Sequence, residues 1–559
     1  MPLVGIAALL LAAAGPAKAQ LDQSETSTIR ERTPGGEQTA PPPLPDQVPP
    51  PDLPPTPVEG GPAIAPETVV LAAVLIEGAT AFPAAELNAL YADDLARPLT
   101  LADVEALAAR ITSFYSDAGY LLTRAVVLPQ ALESGVLRLR VVEGAVLRVV
   151  FEGEGTDSLA LKEYVHRIRD ERPLKLDTLE RQLLLLEDLP GLAVSDSRVR
   201  ALDEEAGDYE LIVTLEVARY DLLTFLDNRG THAIGPLEFW TAVGANSPMG
   251  RGERLQVGAF TIPNQTSELQ YYEGSYSQPL GSQGTRLNLL LSSSNANPSG
   301  DFTGNDVRIR STGASIGVSH PALRLRDETL RLSADFDYQD SREERFAQAT
   351  IDDRLRVLRL RADYVADGFL DATHYAGLEF SRGLGILGAS DPGSTTLSRS
   401  DGRSDFTKLE GYVSRSQSIG DYWGAQISLA GQFSQDPLLS SEEFGLGGGT
   451  YGRAYNYYEI SGDHGLATAA ELRYGKLLND DPWLDSFQLY GFYDWGAVWN
   501  ENADDDFAMQ TLASAGVGLR LGLLERFSLD LQVARPLTRV PFETDSKTAR
   551  IFFSLTGRF

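Results

Sequence analysis

The period of the hydrophobic pattern changes at about Ala218. Before this residue, one stripe of apolar side chains recurs at helical spacing and predicts an amphipathic helix: Val104, Leu107, Ala108, Ile111 and Tyr115. Thr100, with Asp103 three residues later, marks the start of that helix, and Gly119 marks its end. After Ala218, short segments alternate between apolar and polar residues and are separated by turn-forming residues. That alternation predicts many β-strands, arranged either as a sandwich or as a closed barrel.

The first part of the chain contains one module twice. In each copy a strand ends in Glu-Gly, with the glycine at Gly78 and Gly153, and Arg-Pro-Leu precedes a helix, with the arginine at Arg97 and Arg172. The glycine and the arginine are 19 residues apart in both copies. A repeat of fixed spacing indicates a repeated fold unit. The order of the elements predicts a small α/β module, β-α-α-β-β.

The last ten residues, RIFFSLTGRF, favour a barrel over a soluble sandwich. Their apolar side chains share one face: Ile551, Phe553, Leu555 and Phe559. An exposed apolar edge strand would promote aggregation in water, whereas in a closed barrel it pairs with the first strand and faces lipid. Residues 219–559 are long enough for about 16 strands, because a membrane strand needs ~9–11 residues.

Composition supports export and excludes nucleic acid as a partner. The start of the chain is an apolar run that ends in Ala-Lys-Ala, which is typical of a signal peptide. The chain contains no cysteine, as expected for a protein that passes through an oxidising compartment, and its net charge of −30 disfavours contact with phosphate backbones. The five histidines lack metal-ligand spacing. We therefore expect no metal, no cofactor and no enzymatic activity.

These observations divide the chain into six parts. Proline is dense between Pro41 and Pro57, so this segment is an extended spacer, and a short helix is predicted before it, at Ser24–Arg32. The predicted parts are a signal peptide at 1–19, a candidate plug segment at 20–40, a proline-rich linker at 41–67, two α/β modules at 68–145 and 146–218, and a barrel at 219–559.

One arginine and one aspartate in the barrel region form a candidate pair. Arg453 lies in a long stretch rich in glycine and tyrosine, FGLGGGTYGRAYNYYEISGDHG. Asp494 lies in a later strand whose other parity is apolar and faces lipid: Phe487, Leu489, Tyr493, Trp495 and Trp499. Parity therefore points Asp494 into the lumen, where the planar guanidinium of Arg453 can pair with it. The alternatives are a solvated pore-wall carboxylate and a plain surface arginine.

With these features in order, the chain resembles the outer-membrane transporters of two-partner secretion, the haemolysin secretion/activation family. That family has a signal peptide, a plug helix, a proline-containing linker, two POTRA domains and a 16-stranded barrel, and the resemblance covers residues 20–559. Its long loop six carries Val-Arg-Gly-Tyr. This chain keeps Arg453 and Tyr455 but has Gly452 and Ala454 at the other two positions. Gly-Asp typically follows that loop, and here Gly462 is followed by aspartate.

The second family motif, Phe-x-Asp-x-Gly in a barrel strand, is present as Phe492, Asp494 and Gly496. The resemblance implies that Arg453 pairs with Asp494 inside the barrel. It also implies an outer-membrane translocator that moves an unfolded, β-rich exoprotein from the periplasm to the cell surface. Glycine allows torsions that alanine does not, so the change to Ala454 means that the family motif does not predict the backbone conformation of the loop tip.

The partners implied are a secreted exoprotein with an N-terminal secretion domain, outer-membrane lipid, and the barrel assembly machinery during biogenesis. Two alternatives remain at this point. An outer-membrane assembly factor shares POTRA domains and the loop-six arginine, but usually has more POTRA units and lacks the proline spacer. A passive porin would not need the tandem modules.

Overall fold

The computed structural model describes residues 49–52, 68–130, 134–232, 234–298, 306–478, 481–501 and 509–559. The expected signal peptide, the candidate plug helix and most of the proline-rich linker lie outside the described residues. Within these ranges, no helix is long and apolar enough to cross a membrane.

The first module is a three-stranded sheet covered by helices. Its elements are β1 (Val69–Val70), β2 (Ala73–Glu77), α1 (Ala84–Ala89), β3 (Pro98–Leu99), α2 (Leu101–Asp117), β4 (Arg124–Val127) and β5 (Val136–Val142). The sheet order is β2-β5-β4, with β2 parallel and β4 antiparallel to β5. All five residues of the predicted stripe on α2 are buried. Thr100 and Asp103 form a capping box at its start, and Gly119 follows its end with φ +88°.

The second module repeats this arrangement. Its elements are β6 (Ala145–Glu152), α3 (His166–Asp170), α4 (Leu176–Glu187), β7 (Leu192–Asp203) and β8 (Asp208–Val217). The sheet order is β6-β8-β7, with β6 parallel and β7 antiparallel to β8. Each module therefore places its last strand between the other two, as expected for two copies of one fold unit. Leu122 of the first module packs in the core of the second.

Sixteen of the eighteen remaining strands in the described residues form a closed antiparallel barrel, and sixteen is the number predicted from length. The strands are β9 (Tyr220–Asp227), β10 (Glu238–Asn246), β11 (Arg254–Thr261), β12 (Leu269–Pro279), β13 (Arg286–Ala296), β14 (Val307–Arg324), β15 (Glu328–Arg345), β16 (Gln348–Ala366), β17 (Ala372–Gly383), β18 (Thr407–Ile419), β19 (Trp423–Ser434), the short pair β20 (Phe444–Leu446) and β21 (Ile460–Gly462), β22 (His464–Leu477), β23 (Leu484–Trp499), β24 (Gln510–Leu523), β25 (Phe527–Pro536) and β26 (Arg550–Arg558). β20 and β21 pair only with each other, inside a loop.

The terminal strand closes the barrel as predicted, because β26 pairs with β9. Its two faces differ sharply. Ile551 is 71% exposed on the outer face, whereas Phe552 is 3% exposed on the inner one. Alternation thus separates a lipid-facing side from a lumenal side along this strand.

Three strands are much longer than a membrane crossing requires. β14 and β15 each have 18 residues and β16 has 19. The prediction of ~9–11 residues per strand considered only the membrane thickness. In this barrel β15 and β16 remain paired over more residues than are needed to cross the membrane. Their backbone hydrogen bonds outside the membrane are still made to each other.

The modules are attached to one rim of the barrel. Arg324, buried at the end of β14, donates to both carboxylate oxygens of Asp188 at the end of α4, with contacts of 3.0 Å. Arg326 in the next turn donates to Glu180 of α4 at 2.9 Å. The second module is therefore held against the barrel by buried or half-buried ion pairs as well as by the chain connection.

Candidate functional site

The candidate site lies where a long loop folds into the barrel. The loop, residues 435–463, connects β19 to β22 on the rim opposite the modules, and it is the sixth loop on that rim. The β20–β21 pair forms its stem, with Leu446 opposite Ile460. The tip beyond this stem contacts the inner wall of the barrel, so Arg453 is buried despite lying in a loop.

Arg453 binds two carboxylates on the barrel wall. Its Nη2 donates to Asp494 Oδ1 at 2.9 Å, its Nε lies 3.2 Å from both Asp494 oxygens, and its Nη1 donates to Glu471 Oε2 at 2.6 Å. The guanidinium carbon lies 3.7 Å from the centre of the Phe492 ring, a cation–π contact. We call Arg453, Asp494 and Glu471 the tip anchor.

Asp494 is fully buried and accepts several hydrogen bonds besides those from the guanidinium. The backbone N–H of Arg453 donates to it at 2.9 Å, that of Gly452 at 3.3 Å, and the Ser514 hydroxyl at 2.9 Å. A buried carboxylate needs such donors, because an unpaired one costs several kcal/mol. The loop tip thus binds the wall through both its backbone and its side chain.

Each residue of the Phe-x-Asp-x-Gly motif has a distinct structural contribution. The ring of Phe492 lies against the guanidinium of Arg453, and the carboxylate of Asp494 pairs with that guanidinium. At Gly496, an added Cβ would come within 2.5 Å of Leu446 Cδ1 in the loop stem. Glycine is therefore needed at this position so that loop six can approach the wall.

The loop tip has an ordinary backbone at Ala454. The positive φ at the tip falls on Gly452, at +98°, and not on Ala454, which is fully buried. Tyr455 is also fully buried. Its hydroxyl donates to the Ala513 carbonyl at 3.1 Å and accepts from the Arg539 N–H at 3.3 Å. The two departures from the family motif are thus accommodated together, because the glycine stands where the left-handed torsion is needed.

A second contact holds the loop near its start. Glu442 is buried and accepts from Arg359 Nη2 of β16 at 2.6 Å, and it lies 3.0 Å from Lys408 Nζ of β18. Arg359 also binds Asp337 at 2.7 Å and Glu379 at 3.0 Å on the neighbouring strands. We call Glu442, Arg359 and Lys408 the base anchor.

The aspartate after Gly462 joins the two ends of the loop. Asp463 is fully buried and accepts from the backbone N–H of Leu438 at 2.7 Å, near the start of the loop. It also accepts from Arg399 at 2.5 Å and from the Glu501 N–H at 3.0 Å. This carboxylate keeps the loop ends close together, which lets the segment between them reach the lumen.

The structure brings together all five residues singled out from the sequence: Arg453, Tyr455, Phe492, Asp494 and Gly496. Sequence reasoning missed Glu471, although parity along β22 would have pointed it to the lumen. It also missed Glu442 and the arginines that bind tip carbonyls. Of these, Arg229 donates to the Gly448 and Arg453 oxygens, each at 3.2 Å.

The fold and the site together define a class of protein. A closed 16-stranded barrel with an apolar outer face, two α/β modules at one rim and a loop anchored in the lumen form an outer-membrane transporter. Comparison with known families makes the assignment specific. The family described as haemolysin secretion/activation protein ShlB/FhaC/HecB matches residues 212–521, and the ShlB-type POTRA domain matches residues 69–144.

This chain belongs to the haemolysin secretion/activation family, because that match covers more than half of its length. It is an outer-membrane translocator of two-partner secretion, with its N-terminal modules in the periplasm. The family assignment favours this function over a barrel assembly factor or a passive porin.

Individual relatives agree with the assignment. The chain is 22% identical to the heme/hemopexin transporter protein HuxB of Haemophilus influenzae strain 86-028NP over 81% of this chain and 80% of the relative. The structure of CdiB from Escherichia coli has the same fold, with a TM-score of 0.72, 21% identity, and coverage of 97% of this chain and 98% of that one. BamA from Haemophilus ducreyi lacking POTRA domains 1-3 is more distant, with a TM-score of 0.50, 13% identity, and coverage of 88% and 100%.

Proposed function

We propose that this translocator exports an unfolded, β-rich exoprotein of the haemolysin or adhesin type, and that export requires the tip anchor. The observation that carries the proposal is the buried pairing of Arg453 with Asp494 and Glu471. A loop held inside the lumen determines how much of the channel is open. A buried arginine with two carboxylate partners keeps that loop in one position.

The exoprotein enters through the periplasmic modules, which bind its N-terminal secretion domain as an added strand. Edge strands bind an extended chain through backbone hydrogen bonds, with little demand on its sequence. A segment of this chain supports the idea, since Asp52 pairs in parallel with Arg198 on the edge strand β7. The Asp52 N–H donates to Ser197 at 2.8 Å, and Asp52 accepts from Val199 at 2.8 Å.

No nucleotide is available in the periplasm, so export draws on folding of the client outside the cell, which prevents each exported segment from returning. Two further partners act on the translocator itself. Outer-membrane lipid surrounds the apolar belt. The barrel assembly machinery inserts the chain during biogenesis.

The role of the tip anchor is tested with Arg453→Ala. We expect secreted exoprotein to fall about tenfold or more, because removing one partner of a buried pair leaves the other charge uncompensated. Barrel in the outer membrane, measured by its heat-modifiable migration, should stay at the wild-type amount. Arg535→Ala is the matched control, since Arg535 lies exposed on the outer face of β25. Wild-type secretion from Arg453→Ala would contradict the proposal.

The role of the modules is tested separately by deleting residues 68–145. Secretion should be lost while the barrel still inserts, because the barrel region, residues 219–559, is unchanged. Normal export by the deletion variant would contradict docking at the first module. This result would leave the tip anchor untouched, so the two parts of the proposal can fail independently.

A further inference from the structure

The outer edge of strand β7 in the second module is where the chain's own linker binds. β7 is an edge strand, because the sheet order is β6-β8-β7. Between residues 196 and 201 its register with β8 is regular, so its backbone groups point alternately to the two sides of the strand. Those of Ser197 and Val199 point away from β8, because both residues bond to Asp52. The same alternation directs the backbone groups of Ala201 to this outer edge.

The linker fills only part of the edge. The Asp52 N–H donates to the Ser197 carbonyl, and the Asp52 carbonyl accepts from the Val199 N–H, each at 2.8 Å. These two hydrogen bonds make one bridge of a parallel ladder. In the part of the chain that the structure describes, no other residue bonds to the outward backbone groups of Ser197, Val199 and Ala201. The edge therefore continues beyond the bridge with donors and acceptors that the linker does not use.

Proline limits the linker to this single bridge. In a parallel ladder, the positions two residues before and two residues after Asp52 would be the next donors to the edge. Both positions are proline in the sequence, Pro50 and Pro54, and proline has no N–H to donate. The linker can therefore cover the edge but cannot add donors along it. A segment with an N–H group at both positions would form more hydrogen bonds with β7.

We propose that the outer edge of β7 is the docking site for the exoprotein on the second module, and that the linker covers it until an incoming segment displaces Asp52. The occupant is an extended segment that runs parallel to β7 and has no proline at the two positions flanking the bridge. Backbone hydrogen bonds supply its affinity, so the demand on side chains is small. The inference rests on the proposed docking of the exoprotein as an added strand, and it specifies the edge, the direction and the competitor.

A weak, tethered cover suits an edge that has to open repeatedly. An open edge strand pairs readily with other chains, and proline beside it blocks such pairing. The side chains of Arg198 and Arg200 on the outer face of β7 are 50% and 63% exposed, so an incoming segment can reach the strand. Because the linker belongs to the same chain, it returns at a high effective concentration after each segment has passed.

A reversible lock tests whether the linker has to leave. The chain has no cysteine, so Asp52→Cys with Arg198→Cys introduces a single pair of thiols. The two residues are bridge partners, and neighbouring strands lie about 4.8 Å apart, which a disulfide can span. With this pair oxidised, the full-length protein should secrete at least tenfold less exoprotein per inserted barrel than the wild type. Reduction should restore secretion, which also shows that the variant is folded.

The matched control is a disulfide within the sheet. Ala193→Cys with Glu216→Cys joins β7 to β8, whose register pairs these two residues, and it leaves the outer edge of β7 free. This variant should secrete like the wild type whether it is oxidised or reduced. Wild-type secretion by the oxidised lock between residues 52 and 198 would overturn the proposal, and so would an equal loss in the control.

A binding measurement tests the edge directly. The probes are two fluorescent peptides with the sequence of residues 48–56, one native and one carrying Pro50→Val and Pro54→Val. Each is added to purified full-length protein in detergent, and binding is followed by fluorescence anisotropy. The valine peptide should bind about tenfold more tightly than the native peptide, because it has two more N–H donors. The oxidised lock should bind neither peptide until it is reduced.

The remaining outcomes separate this inference from the proposed function. Equal binding of the two peptides, or binding of the valine peptide to the oxidised lock, would overturn the proposal and make the linker a permanent cover of the edge. Deletion of residues 68–145 tests the first module instead. Loss of export in that deletion, together with normal export by the oxidised lock, would reject the β7 edge while docking at the modules stands.

Discussion

The tip anchor and the base anchor hold the same loop with opposite charges. At the tip, loop six presents a cation, Arg453, to carboxylates on β22 and β23. At the base, it presents a carboxylate, Glu442, to cations on β16 and β18. The anchors also differ in what surrounds them. At the base, Arg359 also binds carboxylates on β15 and β17. At the tip, Glu471 also binds Arg473 and Arg520, but Arg453 is the one cation that Asp494 contacts among the described residues.

That difference predicts which anchor is harder to replace. If Glu442 is removed, Arg359 keeps Asp337 and Glu379, and Lys408 keeps the Gln432 side chain at 3.2 Å. If Arg453 is removed, Asp494 keeps the Ser514 hydroxyl and backbone donors but loses its cation. The Asp494 contact at the tip therefore depends on one cation, whereas every charged partner of Glu442 at the base keeps another polar or charged contact.

The largest effect on this comparison is expected from changes to the guanidinium itself. Arg453→Lys keeps the charge but loses the planar fork that binds Asp494 and Glu471 at once. Secretion should remain about tenfold below wild type, since one ammonium cannot keep both contacts and the stacking on Phe492. The measurement is secreted exoprotein relative to inserted barrel. Secretion restored to the wild-type level by lysine would show that charge alone is enough.

A smaller effect is expected from a change that leaves every charge in place. Gly496→Val would force the new side chain against Leu446, because even a Cβ would lie 2.5 Å from it. Overpacking of this kind costs about 1–3 kcal/mol, which should displace the loop stem and reduce secretion severalfold. Gly491→Val is the control on the same strand, since the nearest atom to a Cβ there is 3.9 Å away. Equal secretion by the two variants would show that the stem does not need to approach the wall.

The smallest effect is expected at the base. Glu442→Ala should reduce secretion only about threefold, which corresponds to about 0.7 kcal/mol and lies at the low end of the net contribution of a hydrogen bond, because the partners of Glu442 retain other contacts. Export would be compared with that of Arg453→Ala at matched barrel levels. A loss at Glu442 as large as the loss at Arg453 would reverse the proposed order of the two anchors.

The sequence predicted the main pair of the tip anchor but not the base anchor. Arg453 and Asp494 could be paired because strand parity and two family motifs pointed to the same residues. Glu471 could have been found in the same way, since alternation along β22 places it on the inner face beside Phe492 in the register. The strand count also followed from the length of the barrel region, because residues 219–559 accommodate about 16 membrane strands with their turns and loops.

The base anchor could not be predicted. Glu442 lies in a loop, where alternation says nothing about direction, and it is followed by a second glutamate, Glu443. Its partner Arg359 is 83 residues away along the chain. The long strands were missed for a related reason. Membrane thickness sets the minimum length of a strand, but only neighbouring strands decide how far it continues beyond the bilayer.

The central claim is that Arg453 and Asp494 act as one unit, and a double-mutant cycle tests it most directly. Secretion per inserted barrel would be measured for Arg453→Ala, Asp494→Ala and the double variant. Asp494→Ala should be impaired less than Arg453→Ala, because Arg453 keeps Glu471 at 2.6 Å. In the Arg453→Ala background, Asp494→Ala should cost less than it costs alone, because the ion pair is already lost and only the hydrogen bonds of Asp494 to the loop backbone and Ser514 remain to be removed. Independent losses that multiply in the double variant would contradict the claim.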